Sequence, residues 1–145
     1  MRPLYSQKKV FGLSKVVTIS EASSIAIHSL VLIARSGESM NVNKIAESMG
    51  ASRHHVAKIM QRLVKEGYVN SNRGPTGGFS LKIEPEKLTL LHIFEAIEGK
   101  LEITPCPLDH PICPFNRCLM GNILQEMTEG FREYMQNKKL ADLMD

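Results

Sequence analysis

Between Asn41 and Ile83 the chain changes its hydrophobic period and marks each change with glycine. Val42, Ile45, Ala46 and Met49 recur at three-and-four spacing, which predicts a helix over Val42 to Met49 whose start Asn41 or Asn43 can cap. Gly50-Ala51 turns the chain. Ser52 then caps a second helix running to Glu66, with Val56, Ile59, Met60, Leu63 and Val64 inward and Gly67 as its stop. From Tyr68 to Arg73 and from Phe79 to Ile83 the pattern becomes that of two strands, joined through the tight turn Gly74-Pro75-Thr76-Gly77-Gly78. Two short helices joined at a glycine turn form a helix-turn-helix, and the hairpin after them makes it a winged one.

The second helix of such a pair is narrow enough to enter a DNA major groove, so its solvent face decides the question. Here that face carries Arg53, His54, His55, Lys58, Arg62 and Lys65, all donors or potential donors, and no acidic residue appears on this helix before Glu66. Ser52, Arg53, His54 and His55 stand at the N-terminal end, where base edges are reached. A run of cations on a helix is commonly nothing more than a solvated face. The hairpin weighs against that reading, because Arg73 at its tip, with Gly74 and Thr76 beside it, can enter the minor groove or hold a phosphate. The formal net charge is only +3, so the argument rests on this clustering and not on overall basicity.

The helix-turn-helix has helical neighbours on both sides. Ala22, Ile25, Ala26, Ser29, Leu30, Ile33 and Ala34 form a stripe ending before Gly37; Ile27 and Leu32 lie off it, so this helix is expected to be covered on more than one side. After Pro85, Thr89 caps a helix over Leu90 to Glu98 with Leu90, Ile93, Phe94 and Ile97 inward, His92 outward and Gly99 as its stop. A last helix of roughly five turns is expected from Leu119 to about Asn137, with Met120, Ile123, Leu124, Met127, Phe131, Tyr134 and Met135 on one stripe suited to a two-fold dimer seam. Leu140 to Met144 reads as a docking tail. The organisation expected is therefore a basic arm over 1–18, bearing Lys8, Lys9 and Lys15, a DNA-binding domain over 19–99, a cysteine-containing sensor loop over 100–118, and a dimerisation helix with its tail over 119–145. The fold class is mainly α with a small β-hairpin wing.

All three cysteines fall in that loop, as Cys106, Cys113 and Cys118, with six residues between the first two and four between the last two. The apolar run from Ile25 to Ala34 is interrupted by His28 and Ser29 and is far shorter than the ~20 residues that span a bilayer. The N-terminus lacks the sustained apolar stretch of a secretory signal. A cytoplasmic setting is expected, where a structural disulfide is disfavoured and metal or redox chemistry becomes the question for an odd set of thiols. Thiolates hold [2Fe-2S] and [4Fe-4S] clusters, with imidazole able to replace one of them. Zinc takes the same donors, and the closest pair here has a spacing zinc sites use. The third reading is a metal-free thiol pair that oxidises reversibly. Prolines 105, 107, 111 and 114 keep the loop from becoming helix and restrict it. No nucleophile elbow, phosphate loop, paired carboxylates or Cys-x-x-Cys suggests an enzyme.

The run Ser71-Asn-Arg-Gly-Pro-Thr-Gly-Gly-Phe-Ser-Leu81, the helix pair before it, Leu88 to Gly99, and the three later cysteines together resemble the Rrf2 family of bacterial winged-helix regulators. The likeness runs from about Ile19 to the C-terminus and leaves out the basic arm. It implies a transcription regulator, expected to be a repressor, that binds a palindromic double-stranded DNA operator as a homodimer with the long helix crossing between subunits. It also implies an iron–sulfur cluster on Cys106, Cys113 and Cys118 that senses redox state, oxygen, nitric oxide or iron. Where some members place a histidine ligand three residues after the last cysteine, this chain has Gly121. Others borrow a ligand from the first helix of the partner, which points to His28 as the fourth ligand; Glu21, Asp109 and His110 are the further candidates. Some members sense without a cluster, which keeps zinc, thiol oxidation or a regulatory protein partner as the alternative.

Overall fold

The computed structural model describes residues 19–104, 106 and 112–145; the basic arm, Asp109 and His110 lie outside them. Within the described residues, five helices and one two-stranded hairpin follow in chain order: α1 (Glu21–Ser36), α2 (Val42–Met49), α3 (Arg53–Lys65), β1 (Val69–Asn72), β2 (Gly78–Leu81), α4 (Leu90–Glu98) and α5 (Ile123–Asn137). Short 3-10 turns cover Pro85–Lys87 and Leu140–Leu143. The mainly α architecture with a hairpin wing is the one expected. Among the described residues no helix is long and apolar enough to cross a membrane.

Local chemistry sets the helix ends. Ser20 accepts from the Ser23 amide at α1, Asn41 from Lys44 at α2, Ser52 from His55 at α3 and Thr89 from His92 at α4, each satisfying an otherwise orphaned first-turn donor. At α4 the cap is reciprocal, because His92 Nδ1 accepts from the Thr89 amide at 3.1 Å. His92 is exposed, as expected, but closes a capping box, a task Glu or Gln usually performs.

α1 is the element around which the others close. Ala26 and Leu30 are fully buried and Ile33 nearly so, packing with Ile45, Val56, Met60, Leu63, Leu88, Ile93 and Leu140 in one cluster. α2, α3, α4, β2 and the Leu140–Leu143 turn all contact α1. Its off-stripe residues Ile27 and Leu32 are half-buried against the same core, in line with covering on more than one side.

The wing is pinned to the helix-turn-helix by main chain. β1 and β2 pair antiparallel from Val69 opposite Leu81 to Asn72 opposite Gly78, and β1 packs on α3. Phe79 and Met40 then exchange two hydrogen bonds, 2.9 Å from the Met40 amide and 2.8 Å from the Phe79 amide, so the residue before the α2 cap acts as a one-residue third strand. The approach is close at Gly78: a Cβ there would lie 2.6 Å from the Met40 carbonyl, and its φ of 149° disfavours a side chain.

Two expectations need correction at their boundaries. The strands are shorter than Tyr68 to Arg73 and Phe79 to Ile83, since pairing stops where the turn begins and where Leu81 ends the ladder. The last helix starts at Ile123 and not Leu119, because Gly121 adopts φ 61°, left-handed backbone that interrupts a helix. Its apolar stripe also divides. Met135 is buried and Phe131 stacks edge-on against Phe94 at 5.3 Å, whereas Ile123, Met127 and Tyr134, like Leu119 and Met120 before them, stay exposed. Leu140 is fully buried, and its amide donates to the Leu88 carbonyl while the Leu90 amide donates to the Lys138 carbonyl, so the tail docks as expected.

One carboxylate ties the two helices that frame this core. Glu98, the last residue of α4, accepts from the Ser20 hydroxyl and, at 2.7 Å, from the Ser23 hydroxyl at the start of α1. Those two hydrogen bonds hold its pKa below the ordinary 4.5, against partial desolvation and with help from the charge of Arg62. A lowered folded-state pKa means stability that is present above about pH 4.5 and is lost as pH falls through the depressed value. Glu98→Ala is expected to lower the melting temperature at neutral pH, with the gap from wild type narrowing as pH falls below 4.5 in parallel thermal melts. Gly78→Ala is expected to destabilise by more than about 1 kcal/mol in urea titration, through the clash with Met40.

Candidate nucleic-acid interface and cysteine segment

The helical period of α3 separates its faces. Val56, Ile59, Met60 and Leu63 are buried, which turns Arg53, His54, Lys58, Arg62 and Lys65 to solvent. His55 is half-buried, so of the two histidines His54 is the freer one. Ser52 is occupied as the cap, accepting from the His55 amide at 3.4 Å. The first turn holds no acidic residue, leaving Arg53 at the positive end of the helix dipole, where a cation is locally disfavoured. A charge retained against its local preference fits an external anion. Arg62, in the last turn, lies close enough to Glu98 for its charge to lower that carboxylate's pKa, so it faces the α4 side of the domain.

The wing tip, residues 73–76, is exposed throughout, with Arg73 at its start and Gly74 and Thr76 beside it. Gly77 folds the tip back by donating its amide to the Gly74 carbonyl at 2.9 Å. β1 packs on α3, so the exposed cations of α3 and the exposed wing tip belong to adjoining elements. One contact on this surface is not visible in the sequence pattern: Arg53 Nη1 donates to Asn43 Oδ1 of α2 at 3.2 Å.

The cysteine segment leaves α4 at Gly99. Glu95 secures its first residues by accepting from the Leu101 amide at 2.8 Å, and Thr104 donates its hydroxyl to the Cys106 carbonyl at 2.9 Å. Cys106 is half-buried, Cys113 and Cys118 are exposed, and all three are free thiols. Among the described residues no three His, Cys, Asp or Glu side chains converge within one chain. As a donor set, three free thiols on one segment suit iron–sulfur or zinc ligation.

His28 and Glu21, the candidates on α1, do come together. Both line a groove of about 340 Å³ between α1 and the end of α2, with Ser24, Ile25, Ser48 and the turn at Gly50. His28 is exposed and its Nδ1 sits 2.7 Å from the Ser24 carbonyl oxygen. A carbonyl can only accept, so this contact calls for the proton on Nδ1 and leaves Nε2 as the ring nitrogen not engaged by it. Metal-binding histidines are oriented by the same kind of hydrogen bond. An adjoining groove of about 360 Å³ continues past His28 along Val31, Leu32 and Met49 to Leu143.

Comparison with known proteins agrees with this geometry. The family model described as Rrf2, iron-dependent transcriptional regulator, matches residues 19–145. An HTH-type transcriptional regulator of Aquifex aeolicus is 31% identical over 109 residues, covering 73% of this chain and 76% of that protein. The HTH-type regulator NsrR of Bacillus subtilis is 29% identical over 112 residues, covering 76% and 77%. Among solved structures, CymR, the global cysteine regulator of B. subtilis, superposes with a TM-score of 0.73 at 21% identity, over 88% of this chain and 96% of that one. IscR of T. potens does so at 0.71 and 22%, over 88% and 86%. The family model spans nearly the whole length of the chain, which carries the winged helix-turn-helix fold of these regulators: it belongs to the Rrf2 family of transcription regulators.

Proposed function

We propose that this regulator is a cytoplasmic homodimeric repressor that reads a palindromic operator with α3 and the wing, and whose affinity is set by an iron–sulfur cluster on Cys106, Cys113 and Cys118. The observation that carries the reading is the placing of every cysteine, each a free thiol, on the segment that joins core helix α4 to the half-exposed helix α5. The apolar residues that α5 leaves exposed suit pairing with a second copy, with α5 of each crossing to the other. In such a pair the His28 groove offers the fourth ligand across the subunit boundary, with Glu21 about two turns earlier on the same wall.

A cluster bound there supplies an oxidisable, ligand-exchanging centre. The chain does the rest. Movement of the loop is passed to α5 and changes the separation of the two α3 helices, which must match half-sites about 34 Å apart. The signal acts as a population shift, by favouring one of two loop arrangements. Exposure of Cys113 and Cys118 supports a second reading, in which thiol oxidation, zinc or a bound partner protein controls the same loop without a cluster.

Anaerobic purification is expected to give a coloured protein containing iron and acid-labile sulfide, both lost when any one of the three cysteines is changed to Ser. His28→Ala should retain iron with an altered visible and Mössbauer spectrum. Colourless, iron-free protein that still binds DNA specifically would instead favour the second reading. For DNA, Arg53→Ala and Arg73→Ala are each expected to weaken binding to a duplex selected on the wild-type protein by about 1–3 kcal/mol, and to reduce the slope of log affinity against log salt by about 0.9 for each phosphate no longer neutralised. Unchanged affinity in both variants, measured by fluorescence anisotropy, would overturn the assignment of this face.

A further inference from the structure

The hydrogen bond from Arg53 Nη1 to Asn43 Oδ1 joins the first residue of α3 to the second residue of α2 across the helix-turn-helix. Either Asn41 or Asn43 has the side chain to cap α2, and the structure shows which one does. Asn41 Oδ1 accepts from the Lys44 amide at 2.8 Å, which frees Asn43 for another purpose. Its carbonyl oxygen is turned to a guanidinium ten residues away.

The identity of the acceptor matters. A carboxylate at this place would hold Arg53 more strongly but would cancel much of its charge toward an anion. An amide oxygen orients the side chain and leaves the charge intact. One of the five guanidinium donors is engaged and four remain, enough for a bidentate contact with a phosphate or with a guanine edge. The first turns of α2 and α3 contain no acidic residue that would compete for it. An arginine loses much rotamer freedom on binding, so a side chain already held in one orientation loses less.

We propose that Asn43 is a positioning residue for DNA recognition: it sets the orientation of Arg53 across the turn without placing an opposing charge beside it. This rests on Arg53 as a DNA contact, so the test separates the two. The full-length protein, purified without exposure to air, is titrated with the best duplex recovered from a random library of about 30 base pairs, long enough for two half-sites. Wild type, Asn43→Ala, Arg53→Ala and the double variant are compared across a salt series.

Asn43→Ala is expected to lower affinity about three- to tenfold, with an unchanged salt slope because no charge is removed. Its thermal melt should match wild type, since the α2 cap remains. In the Arg53→Ala background the same substitution should have no further effect. Equal weakening with and without Arg53 would mean that Asn43 acts by itself or through the fold, and would overturn the proposal. If Arg53→Ala leaves affinity and salt slope unchanged, Arg53 as a DNA contact fails and the role of Asn43 fails with it.

Discussion

Five elements can close on α1 because its inner face is built largely from small side chains. Ser23, Ala26 and Ser29 are buried beside Ile25, Leu30 and Ile33, and they leave room for α4 to lie close along the helix. Full burial of side chains such as Leu30 or Ile33 contributes about 1.5–3 kcal/mol each, and that is what holds a helix-turn-helix, a hairpin and a C-terminal turn to one axis. The two small polar positions differ in how their hydroxyls are used. The Ser29 hydroxyl is buried with no hydrogen-bond partner among the described residues, which costs about 1–3 kcal/mol and is tolerated for the small size of the side chain. Ser23 avoids that cost by donating to Glu98, which also fastens the end of α4 where the cysteine segment departs.

Much of this arrangement is legible in the sequence because it is made of short-range signals. Asn41, Ser52 and Thr89 cap where turn chemistry predicts, and Gly37, Gly50 and Gly99 take positive φ values at helix ends. The start of α5, which the periodicity places at Leu119 and the structure at Ile123, hinges on Gly121. A lone glycine within a helical stripe is compatible with either a helix or a break, and only its left-handed conformation decides. The docking of the wing on Met40 is not legible at all, since a one-residue strand has no period.

The candidate functional residues divide in the same way. The acid-free face of α3 and the Arg73 turn declare themselves in the sequence, as do the three cysteines. The contacts of Asn43 and Glu98 do not, because each depends on a partner brought up by the fold, ten residues away for Asn43 and more than seventy for Glu98. His92 has the position of a surface residue and is one, yet its ring completes a cap that Glu or Gln would ordinarily make. The metal candidates on α1 can be named from resemblance, but only the structure shows that His28 and Glu21 share a groove and that the Ser24 carbonyl engages the Nδ1 of His28.

α5 is held unevenly along its length. Its anchors, Phe131 on Phe94 and the buried Met135, lie in its second half, followed at once by the docked Leu140. The half that receives the cysteine segment carries only exposed or half-buried residues. A 15-residue helix is about 22 Å long, and Phe131 stands about 12 Å from its start, so the first half of α5 is an arm extending beyond that contact. Turning it by roughly ten degrees about the Phe131 contact sweeps its free tip by about 2 Å, with little disturbance of the core. A displacement of that size is comparable to the rearrangements of ligating atoms around a metal. Under the proposed function, such a pivot lets a change at the cysteines move the start of α5 without requiring any part of the winged helix-turn-helix to unfold.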